Sequence, residues 1–526
     1  MNRSIYLVNP APDFPSYFNT EVLEDKLGRP TANAVALALP TVAAMIPGDF
    51  EVTLCDECVK PVDFDFPADF VGITGMVSQW KRMREIAQEF RSRGKVVLIG
   101  GPHASLRPEV VRPHCDILVR GEIEDIAARL FQDLINGSWR SEYVGTSPDL
   151  ANSPVPRLDL YPNERTLTGA IQTSRGCPFR CEFCDVIQYQ GRKQRHKPIP
   201  QILVELDQLH AHGYRYVFIT DDNLTAHRKR AKELLAAIRD WNDRRGDRLT
   251  FATQISIDAA SDDELLQLCA EAGIELVFVG IETPNEESLR EVNKHQNNKG
   301  DMVRQIERFV EHGISVIGGM IVGFDSDGPD IFRRQYEFAM SVPIPFFTPA
   351  ILFAPETTPL FDRLNRAGRV FGGSADLPCT PWVTNIVPLK MTREEAVDGL
   401  KWLCNKLYCP DAFEKRVRHS AEMLAKGARF KRAEKGSSLK SMRPVERDGL
   451  SLLKRLPLLG FAEARMAARL MRLVLRKPCL TATVIRYLIL YMQVRHMFDR
   501  GQFWDPELAE QDEPWFEYRE ALARAS

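Results

Sequence analysis

Three cysteines in one short run carry the strongest chemical signal in the chain. Gly176-Cys177-Pro178-Phe179-Arg180-Cys181-Glu182-Phe183-Cys184 spaces them as C-x3-C-x2-C. Thiolates this close can converge on one small polynuclear site. Iron–sulfur clusters are held by cysteine thiolates, and three ligands for four irons leave one iron without a protein ligand. A structural zinc ion asks instead for a fourth Cys or His. His196, twelve residues beyond Cys184, is in range for that role. Three inert, buried thiols are the third reading, although Gly176 and Pro178 favour an exposed loop. Further polar residues punctuate the apolar runs that follow: Asp222 in Thr220-Asp221-Asp222-Asn223, Gln254 and Ser256, and Glu282 in Gly280-Ile281-Glu282.

The elements that must position these groups read as alternating α/β. Short β-branched strands separated by helical patterns argue for parallel sheets. Residues 1–140 form a first, doubly wound (Rossmann-like) domain with strands at Ile5–Asn9, Glu51–Asp56, Phe70–Met76, Lys95–Gly101 and Asp116–Gly121. The apolar stretch Ala34–Ile46 reads as a buried helix, bent or broken at Pro40. Residues 141–167 are polar and Pro-rich and read as a linker. Residues 168–390 hold six βα units, which suit a partial (β/α)6 barrel with its chemistry at the strand C-termini. Residues 391–526 turn helical, opening with the capping box Thr392-Arg393-Glu394-Glu395. Between 411 and 480 there are 18 Lys and Arg against 7 Asp and Glu.

Composition narrows the class. The 526 residues are 44% hydrophobic and 27% charged, which excludes a disordered or collagen-like chain. A net charge of -2 gives no drive toward nucleic acid. Eleven cysteines are too sparse for a disulfide scaffold. No signal peptide or spanning segment is evident, and a reducing, cytoplasmic setting is expected. Cys55, Cys115, Cys269, Cys404 and Cys479 lie in apolar or helical patterns and are expected to be small buried hydrophobes.

The cysteine motif after a strand resembles that of the radical S-adenosylmethionine (SAM) enzymes. That resemblance implies a [4Fe-4S] cluster on Cys177, Cys181 and Cys184, with SAM chelating the open iron and cleaved to a 5′-deoxyadenosyl radical. It further implies SAM contacts from Phe183, Asp222, Gln254, Ser256 and Glu282. The doubly wound first domain resembles the cobalamin-binding module of the cobalamin-dependent class. Asp56-Glu57-Cys58-Val59-Lys60-Pro61 stands where that module can carry Asp-x-His-x-x-Gly, with Cys58 in place of the His. The implied cobalamin contacts are Asp56, Gly75, Gly100, Gly101, His103, Gly121 and Glu122, with His103 at the cofactor's periphery. A dinucleotide site is the rival, but no G-x-G-x-x-G follows the first strand.

The whole arrangement resembles a subgroup that includes the hopanoid C-2 methylases. The implied activity is methylation of an unactivated carbon of a lipid or other small apolar molecule, with one SAM remethylating cobalamin and a second supplying the radical. An external donor such as flavodoxin or ferredoxin would provide electrons. Oxidative cyclisation or rearrangement with the same cofactors, and a non-catalytic cobalamin or redox sensor, are the alternatives. The basic segment Arg455–Arg476 reads as an amphipathic helix, either a solvated face packed on the barrel or a peripheral contact with an anionic membrane.

Overall fold

The computed structural model describes residues 3–298, 300–373, 377–427, 443–512 and 514. The strands run in order as β1 (Arg3–Asn9), β2 (Ala32–Ala34), β3 (Phe50–Asp56), β4 (Phe70–Thr74), β5 (Val96–Gly100), β6 (Ile117–Arg120) and β7 (Glu142–Val144). All but β2 form one parallel sheet in the order β3-β1-β4-β5-β6-β7. The chain reverses direction across the sheet between β1 and β4, and such a switch point opens a crevice at the strand C-termini. Asn9-Pro10 and Gly75-Met76 border it, and Gln79 closes it by donating to Asn9 Oδ1 at 3.1 Å. Strand β7 lies inside the stretch read as linker and completes the sheet edge.

The second sheet is an open, curled half-barrel. Its strands are β8 (Thr166–Ile171), then, after the short antiparallel pair β9 (Ser174–Arg175) and β10 (Arg195–His196), β11 (Tyr216–Ile219), β12 (Thr250–Ile255), β13 (Ile274–Glu282), β14 (Ser315–Val322) and β15 (Phe346–Ile351). They are all parallel, in the order β15-β14-β13-β12-β11-β8-β2. The six βα units expected from sequence are therefore present. A seventh strand, β2, is lent by the N-terminal region and pairs Ala32 with Thr166. This corrects the reading of Ala34–Ile46 as one helix. The helix is only Ala38–Ala43, and Pro40 sits in its first turn, where a missing N–H costs nothing.

Local chemistry explains the helix ends that set the barrel mouth. Asp262 and Asp301 accept hydrogen bonds from the first-turn amides of helices Asp263–Ala272 and Met302–Glu311. The capping box on Arg393–Tyr408 closes as expected, with Thr392 N donating to Glu395 at 2.7 Å and Glu395 N to Thr392 at 3.1 Å. Helices Arg393–Tyr408, Pro410–Leu424, Pro444–Leu453, Phe461–Arg476 and Thr481–Arg500 then pack beside the half-barrel. Buried Arg416 donates to Pro345 O beside the start of β15, and Arg486 pairs with Glu275 near the start of β13. The helical region thus reaches the N-terminal ends of these strands, away from the mouth. Among the described residues no helix is long and apolar enough to cross a membrane. Cys55, Cys115, Cys269 and Cys404 are buried as expected, whereas Cys479 is exposed because it lies in the turn between two helices.

Candidate active site

The cysteine loop leaves the half-barrel just after β8 and is tied down at several points. Gly176 adopts φ +93°, and a Cβ there would lie 2.8 Å from Lys193 O and 2.9 Å from Gly191 O, so only glycine fits. Its amide donates to Gln190 Oε1 and Asp222 Oδ2, each at 3.1 Å. Glu182 receives a fork of hydrogen bonds from Arg363 at 2.9–3.2 Å, and Arg363 also binds Asp325 at 2.7 Å. Asp325 is thereby an anchor that also receives Arg369 at 2.5 Å.

A tetrahedral zinc ion with Zn–S bonds of about 2.3 Å brings its sulfurs to about 3.8 Å apart. The only set of three donor atoms within 4.8 Å of one another among the described residues is Glu21, Asp25 and His496, where Arg500 already pairs with Glu21. The three cysteine sulfurs do not all lie within that distance of one another. His196, the proposed fourth zinc ligand, packs its ring 5.7 Å from His227 instead. Burial raises the Cys177 thiol and pushes Cys184 up to about 12. Ionising these thiols therefore awaits a positive partner, and a polynuclear iron site supplies one.

The strand ends around the loop divide into anchors and available groups. Asp221 is fully buried and accepts from Thr173 N at 2.6 Å and Ser174 Oγ at 2.6 Å, so it fastens β8 to β11. Asp222 is half-buried, and burial pushes its carboxyl up to about 6. Glu282 has φ +64°, unusual for a residue with a side chain. Gln335 holds its carbonyl at 2.9 Å and Lys294 pairs with its carboxylate. Burial opposes the Lys294 charge, but Glu282 and Cys181 beside it raise its pKa overall. A Cβ on Gly280 would collide with this pair, which explains the glycine two residues earlier. Lys294 Nζ also sits 5.6 Å from the Phe183 ring centre. Ser256 accepts from Asn223, and Gln254 lends its carbonyl to Leu224 N at 3.0 Å.

Residues 171–339, from the end of β8 through this mouth, match the radical SAM superfamily model, and residues 358–502 match a domain of unknown function, DUF4070. An uncharacterized methyltransferase of Synechocystis sp. is 34% identical over 411 residues, covering 76% of this chain and 75% of the relative. The hopanoid C-2 methylase of Rhodopseudomonas palustris is 34% identical over 355 residues, covering 65% of this chain and 67% of its own. The chain belongs to the radical SAM methyltransferases. Its fold is shared with the radical SAM methyltransferase TsrM of Kitasatospora setae, solved with cobalamin and a [4Fe-4S] cluster (TM-score 0.54, 20% identity, 75% of this chain and 84% of that one). It is shared also with the cobalamin-dependent radical enzyme OxsB, solved with aqua-cobalamin (TM-score 0.60, 14% identity, 95% of this chain and 80% of that one).

In this radical SAM enzyme the first domain faces the mouth. Helix Pro102–Leu106 packs against helix Val186–Tyr189, which follows Cys184. A cavity of about 250 Å3 lies at the seam, lined by Val77, His103, Arg107, Asp185, Phe353 and Glu356 among others. His103 is 2% exposed, and its Nε2 is buried with no hydrogen-bond partner. Its ring lies 4.9 Å from Trp80, and burial, reinforced by Arg107, lowers it to about 4. His103 is therefore a neutral imidazole beside the seam cavity.

The other first-domain residues singled out from sequence have identifiable work in the fold. Asp56 accepts from Asn9 at 3.2 Å, from Cys58 N at 3.1 Å and from Tyr161 of the connecting segment. A Cβ on Gly75 would meet Met83 at 2.8 Å, and one on Gly101, at φ +93°, would meet Thr74 Oγ1 at 2.5 Å. One on Gly121 would meet Gly145 O at 2.4 Å, whereas one on Gly100 meets only ordinary contacts at 3.5 Å. Gly75, Gly101 and Gly121 thus stand where the chain itself leaves no room for a Cβ. Glu122 is taken by Arg175 at 2.5 Å and Arg195 at 2.9 Å. Sequence reasoning missed Lys294, Arg175, Arg195 and Tyr161, because each acts through a distant partner and none carries a local motif.

Proposed function

We propose that the chain is a cobalamin-dependent radical SAM methyltransferase acting on an unactivated carbon of a small, largely apolar molecule. One observation carries the reading: the cysteine loop and the ligand edge of the doubly wound domain meet at one seam, with an unpartnered imidazole beside its cavity. Cys177, Cys181 and Cys184 would hold the [4Fe-4S] cluster, Asp222, Glu282 and Phe183 would face SAM, and the C-terminal edge of the first sheet, with His103, would face cobalamin. When bound, these groups supply reductive cleavage of SAM and a transferable methyl.

The chain's own residues prepare that chemistry. Asp222, joined to Gly176 at the loop's root, offers a carboxylate suited to the SAM ammonium. Glu282, fixed in its strained backbone by Gln335 and Lys294, can accept hydrogen bonds from ribose hydroxyls. Neutral His103 can exchange one hydrogen bond with a ligand at the seam without bringing a charge there. Apolar Val77, Leu106 and Phe353 limit water in the cavity.

The relatives support an apolar substrate, since they include a hopanoid methylase and a bacteriochlorophyllide d C-12(1)-methyltransferase of Chlorobaculum tepidum, 28% identical over 365 residues. Peripheral contact with an anionic lipid surface belongs to the same proposal. Leu458, Phe461 and Leu475 are 78%, 84% and 77% exposed, and exposed Arg465, Arg469 and Arg472 lie among them. The deciding experiment offers lipid extracts to the reduced, fully loaded enzyme with methyl-labelled SAM. A product heavier by one labelled methylene supports the reading. A converted product with no added carbon would place the enzyme among cyclases or rearrangement catalysts.

A further inference from the structure

Two ion clusters cross the seam between the first domain and the half-barrel, one buried and one half-buried. In the first, Arg175, two residues before Cys177, binds Glu122 at 2.5 Å and Glu124 at 2.7 Å. Arg195 joins Glu122 from β10 and also donates to Pro148 O at 2.8 Å. The four side chains are 14%, 10%, 2% and 12% exposed, in the order Arg175, Glu122, Glu124, Arg195. In the second, half-buried Arg107, just past the helix that begins at Pro102, pairs with Glu356 in the loop after β15 and, at 2.6 Å, with exposed Glu109 of its own domain. Glu122 and Arg107 follow β6 and β5, whose C-terminal ends form the ligand edge of the first sheet.

We propose that Arg175 and Arg107 are positioning residues, each the cation of a clamp that fixes the distance between the two ligand-bearing edges. The inference rests on the reading that SAM and cobalamin occupy those two edges. Surface ion pairs would do little here, being weak and screened. Buried pairs behave differently, since removing one partner strands an uncompensated charge. Arginine suits the task because its guanidinium stays charged and its planar fork engages two carboxylates at once. Arg175 has the further property of standing at the root of the cysteine loop. The helix Pro102–Leu106, which leads into Arg107, packs on Val186–Tyr189 across the same seam.

The test uses the full chain loaded with cluster and cobalamin and compares Arg107→Met, Glu124→Gln, and the exchanged pair Arg107→Glu with Glu356→Arg. Two readouts are followed. The first is hydrogen–deuterium exchange of backbone amides in 102–107 and 355–358, measured without SAM. The second is SAM turnover, scored separately as 5′-deoxyadenosine, which needs only the half-barrel, and as S-adenosylhomocysteine, which needs the methyl to cross the seam to reduced cobalamin. We expect exchange to rise several-fold in both single variants. We expect S-adenosylhomocysteine to fall at least tenfold while 5′-deoxyadenosine stays within twofold and iron content is unchanged, with the exchanged pair restoring both readouts toward wild type. Unchanged exchange in both single variants would overturn the clamp. So would parallel loss of both by-products with iron, which would make these residues mere supports of the cluster loop. If wild type gives no S-adenosylhomocysteine at all, the functional reading fails, and the exchange data still decide whether the seam is clamped.

Discussion

A buried thiol resists ionisation, so Cys177 and Cys184 are unfavourable as thiolates until iron binds. Anaerobic reconstitution is expected to load about four irons per chain. Replacing Cys177, Cys181 and Cys184 together by Ala should leave no visible cluster absorbance, and a retained spectrum would remove the triad from the account. His103 makes a second residue-scale prediction. Burial lowers its ring to about 4, below the ordinary imidazole value of 6.5. Between these values the unfolded chain takes up a proton that the native chain refuses, so native stability falls as pH drops through that window. The loss can reach about 3 kcal/mol. His103→Gln should flatten this component, read as the change of urea midpoint with pH. The Co(II) form of the cobalamin-loaded protein should meanwhile show no nitrogen splitting from His103 in its electron paramagnetic resonance spectrum, because the imidazole is expected at the cofactor's periphery. A splitting that disappears in the variant would make His103 a cobalt ligand.

Turns at strand ends decide how these residues meet. Gly101 combines φ +93° with a neighbour only 2.5 Å from any added Cβ. Gly101→Ala is expected to destabilise the protein by roughly 1–3 kcal/mol, seen as a lower Tm, whereas Gly100→Ala should be nearly neutral. Elements of this kind were legible in the sequence to different degrees. The six barrel strands and the Thr392 capping box declare themselves through periodicity and cap chemistry. Strand β2 does not, because three residues pairing with Thr166–Thr168 carry no periodicity of their own. The same limit hides Lys294. Its role depends on folding back twelve residues onto Glu282, and a lysine in a polar loop looks like solvated surface until it does. Glu122 was legible as a strand-end residue, but its clamp of arginines was not, since Arg175 and Arg195 lie 53 and 73 residues further on.

At the scale of the molecule, one half-barrel mouth is proposed to serve SAM, with the first domain packed across it. The cysteine loop, Asp222 and Glu282 are the one SAM-facing set proposed among the described residues, so both uses of SAM are expected to share it. Glu282→Ala should therefore depress 5′-deoxyadenosine and S-adenosylhomocysteine together. The most direct measurement is the by-product balance of the reduced, cluster- and cobalamin-loaded enzyme turning over a methyl acceptor. The account predicts one 5′-deoxyadenosine and one S-adenosylhomocysteine for each methyl group added, and loss of both in Glu282→Ala. S-adenosylhomocysteine formed at the wild-type rate while 5′-deoxyadenosine disappears in that variant would contradict it, because the two uses of SAM would then occupy separate sites.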